Sequence, residues 1–487
     1  MRADFLNRRS LLQNAANGFG WLAASALLRQ QTSAAADTAA AADTAAGASA
    51  AGLAAAGLAE ASRFHFPPRA RRVIFLFMKG GPSQVDTFDY KPRLNQDDGK
   101  PLPFDKPRVQ FAATGNLLGS PWRFRQYGSS GIPVSSLFPH VARHVDDICF
   151  LNSVYGTNAA HGGAALKLHT GSDTFVRPGM GAWVSYGLGT ENENLPGFVT
   201  ICPTLAHGGV NNWGSAFLPA ECQGVPLGVA SQPSTAAQVK YIRNDRWSPA
   251  VQRLQLDLMA QMNERHDRNA PEDSALEARI KSFELAFRMQ SEMPRVQDLS
   301  QETRETHEMY GLNQTITANF GRQCLMARRF AEAGVRFIQI THSDTNVQWD
   351  QHGDLFAGHT KNAAEVDQPI AALLTDLKQR GLLDDTLVLW GGEFGRTPVA
   401  QGRDGRDHNP DGFTMWMAGA GVRGGIRYGA TDEYGYYAVE NRMHIHDVHA
   451  TLLHLLGLDH LRLTYRYAGR DFRLTDVAGA VHPGVIS

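Results

Sequence analysis

The sequence predicts an α/β protein, a three-layer α/β/α sandwich around a mostly parallel central sheet. Three observations carry that expectation. Arg72-Val-Ile-Phe-Leu-Phe-Met78 and Thr386-Leu-Val-Leu-Trp390 are unbroken apolar runs rich in β-branched and aromatic residues, the pattern of strands buried on both faces. Each gives way to a glycine pair, Gly80-Gly81 and Gly391-Gly392. Helix-period segments lie between such runs, and helices alternating with buried strands cover a sheet on both sides.

The chain begins with Asn7-Arg-Arg-Ser-Leu-Leu-Gln13 followed by a mildly apolar stretch, Ala15 to Leu28. This resembles a twin-arginine export signal over 1–30. The stretch is too short and too interrupted by Asn17 and Gly18 for a membrane span of about 20 residues, so none is expected once the signal is removed. Engagement with the twin-arginine export machinery and a periplasmic or secreted destination follow, with folding, and any metal loading, completed before export. Residues 31–62 are almost wholly Ala, Gly, Thr, Ser and Asp, with Ala-Asp-Thr-Ala-Ala occurring twice. That composition has too little bulky apolar surface to fold and reads as a linker. A signal cleavage site fits near Ala34 to Ala36, and the folded domain is placed at 63–487.

Further strands are predicted over 147–151, 197–201, 335–341 and 414–417. A strongly helical stretch, about 249–335, reads as an insertion. Helices are also predicted over 364–380, where Val366, Ile370, Leu373, Leu374 and Leu377 fall at helical spacing, and over 446–456. At 487 residues, 43% hydrophobic and 20% charged, the chain can bury a large core. A formal net charge of -1 without a basic stripe interleaved with aromatics argues against nucleic acid as a partner. Cys149, Cys202, Cys222 and Cys324 form no C-x-x-C pair, which excludes a zinc ribbon or a dense disulfide framework. One or two ordinary bridges remain compatible with an oxidising compartment.

Residues able to carry chemistry collect where these strands should end. After the first strand, Ser83 is placed to bond an anion and Asp86 or Asp89 to ligate a cation, although Gly-Pro-Ser-x-x-Asp is also ordinary turn chemistry. Thr157-Asn-Ala-Ala-His-Gly-Gly163 leads into a helix whose free amides favour anions, with Asn158 and His161 as candidates. Thr341-His-Ser-Asp344 and Trp349-Asp-Gln-His352 place Asp350 and His352 within reach of one cation, as oxygen and nitrogen donors. Glu393 stands where the strand ending at Trp390 empties into a fixed loop, and Asp407-His408 adds a carboxylate and an imidazole. An alternative for Glu393 and Arg396 is an ion pair that staples the turn. His444-Ile-His-Asp-Val-His449 reads mainly as capping and packing, with His446 and Asp447 as weaker candidates.

The segment from Glu365 to Trp390 resembles the part of sulfatases that leads to their Ser-Asp-His-Gly metal motif, with Gly392-Glu-Phe-Gly395 in its place. Val448-His-Ala-Thr-Leu-Leu-His-Leu-Leu-Gly-Leu458 is similar to the C-terminal helix of sulfatases and alkaline phosphatases. Lys79-Gly-Gly-Pro-Ser-Gln-Val-Asp-Thr-Phe-Asp89, Trp349-Asp-Gln-His352, Gly392-Glu-Phe-Gly-Arg-Thr-Pro398 and Gly405-Arg-Asp-His408 together resemble the exported bacterial family called domain of unknown function 1501. The resemblance implies an alkaline-phosphatase-like fold, a divalent metal (Zn, Mn or Ca) and a phosphate or sulfate ester substrate, small or polysaccharide. Asp86, Asp350, His352, Glu393 and His408 are the candidate metal ligands. Ser83 and Asn158 would bind substrate, and Arg396 would clamp its anion. No cysteine is followed by x-Pro-Ser-Arg, so a formylglycine nucleophile is not expected. His161 falls at the nucleophile position, open to a role as nucleophile, ligand or general acid. Gly80 and Gly81 replace the double aspartate after strand one. The expected function is an exported metal-dependent ester hydrolase; a non-catalytic exported binding or cell-envelope protein retaining the fold is the alternative.

Overall fold

The computed structural model describes residues 64–105, 114–267, 274–343 and 348–487. The expected export signal and linker, and Asp344, lie outside the described residues. Two compact units emerge: one holds Tyr241–Gln290, and the other Phe64–Lys240 with Ser291–Ser487. The first carries the helix Pro249–Asp267 and most of Ser274–Gln297, joined by Arg253, whose guanidinium bonds both carboxylate oxygens of Glu284 at 2.8 and 2.6 Å.

Among the described residues the larger unit is built on a nine-stranded central sheet and a three-stranded one beside it, with three small hairpins. In chain order its sheets use β1 (Arg72–Met78), β2 (Thr114–Leu117), β3 (Ile148–Tyr155), β4 (Phe198–Ile201), β5 (Val225–Leu227), β6 (Phe337–His342), β7 (Thr386–Gly391), β8 (Gly395–Gln401), β9 (Gly405–Asn409), β10 (Phe413–Ala418), β11 (Ile426–Tyr428) and β12 (Met443–His444). The central sheet runs β11-β3-β10-β7-β1-β6-β4-β5, with β12 also paired to β3. All pairings are parallel except those of β10, which is antiparallel to both β3 and β7. β1 lies at the centre with all seven residues buried. Each bulky apolar side chain so removed from water contributes about 1.5–3 kcal/mol.

Alternation along the strands supplies two cores. Val73, Phe75, Phe77, Leu387, Leu389, Met415 and Met417 face one side. There they meet α1 (His161–Thr170), α2 (Met180–Leu188) and α5 (Ile445–Leu455) through Leu168, Val184 and Leu452. Ile74, Leu76 and Met78 point the other way, and α3 (Ala318–Glu332) packs against β1 and β6 while α4 (Leu355–Gln379) packs on α3. The expected α/β/α sandwich with a mostly parallel sheet is what the structure shows.

One expectation is corrected. The Gly/Arg/Pro segment after Trp390 is not an irregular loop but an antiparallel hairpin, β8 and β9, completed by β2. Pro398 lies in the irregular stretch between the paired residues Arg396 and Ala400, where a missing N–H interrupts no ladder bond. The four cysteines are all free and buried rather than bridged. Among the described residues no helix is long and apolar enough to cross a membrane.

Candidate metal centre

Parallel strands empty at one edge of the sheet, and ligands of open α/β sheets gather there. β1 delivers Lys79 to Asp86, β3 the loop to His161, β6 the segment reaching Asp350 and His352, and β7 Glu393. Because β10 runs the opposite way, the chain entering it brings β9, with His408, to the same edge.

His161, Asp350, His352 and His408 converge so that one ligand atom from each lies within 4.8 Å of all the others. Asp350 is the hub. Its Oδ1 is 2.9 Å from His352 Nε2 and 3.0 Å from His408 Nε2, and its Oδ2 is 3.0 Å from His161 Nε2. His352 Nε2 and His408 Nε2 are themselves 3.0 Å apart.

The outer nitrogens of the three imidazoles are each tied down. Nδ1 of His161 meets Glu393 Oε1 at 2.7 Å, that of His408 donates to the Ala159 carbonyl at 2.6 Å, and that of His352 bonds Gln401 Oε1. A ring that donates from Nδ1 in its neutral form presents a lone pair at Nε2. Three such lone pairs and a carboxylate therefore face one another. Buried His161 Nε2, despite its closeness to Asp350, lacks the alignment of a hydrogen bond. Acceptors crowded in this way repel unless a proton or a metal cation lies between them. Ligands about 2.0–2.1 Å from a tetrahedral zinc would themselves stand roughly 3.3 Å apart, close to the observed spacing. Anchored Nδ1 atoms are what metal-binding histidines usually show.

Glu393 and Arg396 hold this arrangement from behind. Glu393 is 1% exposed, and both its oxygens also accept from the Gly80 amide, at 3.0 and 3.1 Å. Gly80 and Gly81 have φ of 106° and 78°, and a Cβ on Gly81 would sit 2.7 Å from the Phe394 ring and carbonyl. Phe394 stacks on His408 at 4.4 Å between ring centroids. Side-chain exposure rises from 0% at Glu393 to 22% at Asp350 and 34% at His352, so the centre opens past His352.

Burial works against a proton on His161, but the Asp350 and Glu393 carboxylates outweigh it and raise its pKa. Asp350 chiefly raises that of His352. Burial prevails at His408 and keeps it below the ordinary imidazole value. The Asp350 carboxyl would be raised by burial, yet its histidine partners and Arg396 hold it well below the usual carboxylate range.

Several expected site residues stand elsewhere or act differently. Asp86 is no member of the cluster: its carboxylate takes Arg406 Nε at 2.7 Å and Nη2 at 3.2 Å, and the Ser83 hydroxyl at 2.6 Å. Ser83 is thereby spent, and its amide donates to buried His359 at 3.0 Å. Arg396 is 0% exposed, with donors directed to Gly80 O, Gly81 O, Arg406 O and Asp350 Oδ1. It anchors Asp350 rather than stapling a turn with Glu393, and it has no face for an anion. Asn158 Oδ1 accepts from the Ala160 amide at 2.8 Å and so shapes the entry to α1. His444 and Asp447 form a capping box on α5, while His446 and His449 bond the carbonyls of Gly171 and Leu168.

His207 was not foreseen. Its ring lies parallel to that of His161 with centroids 4.6 Å apart, and it forms a second possible ligand group with His161 and Glu393. A signal existed: Ala-His-Gly-Gly occurs twice, at 160–163 and 206–209. Gln401 and the Ala159 carbonyl, which orient His352 and His408, left no sequence signal.

Among solved structures, the chain is similar to the lipoteichoic acid synthase LtaP from Listeria monocytogenes, with 9% identity and a TM-score of 0.35 over 81% of this chain and 74% of that one. It is also similar to the alkaline phosphatase from the Antarctic bacterium TAB5, with 9% identity and a TM-score of 0.34 over 81% and 99%. A third is PsFucS1 sulfatase from Pseudoalteromonas sp., with 13% identity and a TM-score of 0.33 over 83% and 70%. No curated protein matches the sequence significantly. A family model does match across residues 70–486, and the chain accordingly belongs to the family described as "Protein of unknown function (DUF1501)".

Proposed function

We propose that this protein is an exported metal-dependent hydrolase of phosphate or sulfate esters that works without a formylglycine nucleophile. The observation that carries the reading is the convergence of three imidazole Nε2 atoms on the Asp350 carboxylate, each ring fixed from behind. His161, Asp350, His352 and His408 would hold the cation, with Glu393 orienting His161. Three nitrogen donors suit Zn or Mn better than Ca, which prefers oxygen. A divalent cation there supplies charge stabilisation and a nucleophile at neutral pH. The N-terminus of α1, whose first amides have no intrahelical acceptor, meets an anionic ester from the same side. Arg396 fixes Asp350, and Glu393 accepts the hydrogen bond from His161 Nδ1.

A non-catalytic binding protein is the second reading, favoured by one observation: Ser83 and Arg396, expected to meet substrate, are consumed by internal bonds. Nitrophenyl phosphate and nitrophenyl sulfate, tested with zinc- and manganese-loaded protein, separate the two. Hydrolysis by the wild type that Asp350→Ala abolishes supports the hydrolase. Equal release by both proteins, or none by either, sinks it.

A further inference from the structure

Beside α4 lies a cleft of about 490 Å³, within the ~300–1,000 Å³ usual for small-ligand sites. Phe356, Thr360 and Asp367 line it from one stripe of α4, at helical spacing. Phe356 stacks on Trp122 with centroids 5.4 Å apart and planes 10° from parallel, yet is 59% exposed. Gln314 Nε2, from the segment preceding α3, donates at 3.1 Å to Oε1 of Gln368, which follows Asp367 on α4, fixing an amide pair in the lining.

The lining selects by charge. Among the described residues no lysine or arginine lines the cleft, and Asp367 is held in place by the His140 and Val141 amides, both at 2.8 Å. A sulfated or carboxylated ring would find no fixed counter-charge there, since burial and then Arg143 hold the lining His140 imidazole below its ordinary value. An open aromatic face beside fixed amides and hydroxyls suits a neutral sugar ring, whose C–H face packs on the aromatic and whose hydroxyls both donate and accept. Phe356 follows His352 by four residues, a span of at most about 14 Å of chain. The cleft therefore lies within a short oligosaccharide's length of the histidine cluster.

We propose that this cleft is a neutral-saccharide subsite, holding a sugar ring of a glycan whose charged ester is presented to the cluster of His161, Asp350, His352 and His408. Its second clause rests on the hydrolase reading; its first does not. The test is calorimetric titration of the full chain with cellohexaose, xylohexaose, mannohexaose and maltohexaose, with a heparin hexasaccharide as the charged control. At least one neutral hexasaccharide should bind, Phe356→Ala should weaken it about tenfold, and Phe356→Trp should restore it. Circular dichroism confirms that each variant is folded. Binding of no neutral hexasaccharide, binding of the charged control alone, or indifference to Phe356→Ala overturns the subsite. Saccharide binding without hydrolysis of any nitrophenyl ester removes the hydrolase reading and leaves the subsite, whereas hydrolysis without saccharide binding does the reverse.

Discussion

Replacing Glu393 with glutamine exchanges one oxygen for an amide nitrogen in the most deeply buried part of the centre. In the wild type the carboxylate accepts from His161 Nδ1 at 2.7 Å and from the Gly80 amide at 3.0 and 3.1 Å. Glutamine has one acceptor oxygen. In the Oε1 position it still serves His161 and Gly80, but its NH₂ then stands in the Oε2 position against the Gly80 N–H. In the flipped orientation the NH₂ faces His161 Nδ1 as well, so in both cases the carboxylate charge is lost and a buried donor is left unpaired. With the side chain 0% exposed, no water makes up the deficit. An unsatisfied buried donor costs about 1–3 kcal/mol. Losing a partner that orients a metal-binding histidine typically costs 10–100-fold in affinity, or ~1.4–2.7 kcal/mol. Competition for zinc against a chelator of known affinity should show Glu393→Gln binding 10–100-fold more weakly while its circular dichroism stays native. Wild-type affinity in a folded variant would refute the claim that Glu393 orients His161 for a cation.

Other consequences follow from the same contacts. Arg406→Ala strands the Asp86 carboxylate, whose side chain is 0% exposed, and should cost about 3–5 kcal/mol in urea unfolding; an unchanged midpoint would contradict the structural role given to this pair. Gly81→Ala must place a Cβ at φ +78° against Phe394, adding about 1–2 kcal/mol of left-handed strain to a backbone clash. Because Phe394 stacks on His408, that variant should lose both stability and zinc affinity, and normal zinc binding would count against the packing argument. For pH, His161 and His352 are raised above the ordinary 6.5, so in the metal-free protein their stabilisation is full below 6.5 and is lost as pH rises through the folded-state values. Asp350 is depressed below 3.8, and its contribution is lost only as pH falls through that range. Protons and cation compete for the same nitrogens, so the thermal shift produced by zinc should grow from about pH 6 to about pH 8. A shift that shrinks over that interval would oppose imidazole ligation.

Much of the fold was legible because the buried strands are apolar on both faces. β1 was expected at its observed bounds, and β7 and β10 to within a residue at each end. Edge strands were not: β5 has three residues around Pro226 and β11 has three with an exposed Arg427, too short for any period to register. The helix expected from 364 begins at Leu355, since Gly358 and His359 in its first turns disguise the apolar spacing. At the centre, His161, Asp350, His352, Glu393 and His408 were legible as polar groups at strand exits. Asp86 and Arg396 act differently because a sequence does not show that Arg406 and two glycine carbonyls, more than three hundred residues away from their partners, consume their bonding capacity, and Ser83 because its hydroxyl turns to Asp86 three residues on. His207 was marked only by the Ala-His-Gly-Gly it shares with His161, and nothing on its loop shows that the two rings meet.

Metal content decides the central claim most directly. The protein is purified without chelator beside an Asp350→Ala/His352→Ala double variant, and both are assayed by elemental analysis. The geometry predicts near-stoichiometric zinc or manganese in the wild type and its loss from the folded variant. Absence of metal from both, or equal metal in both, would contradict it.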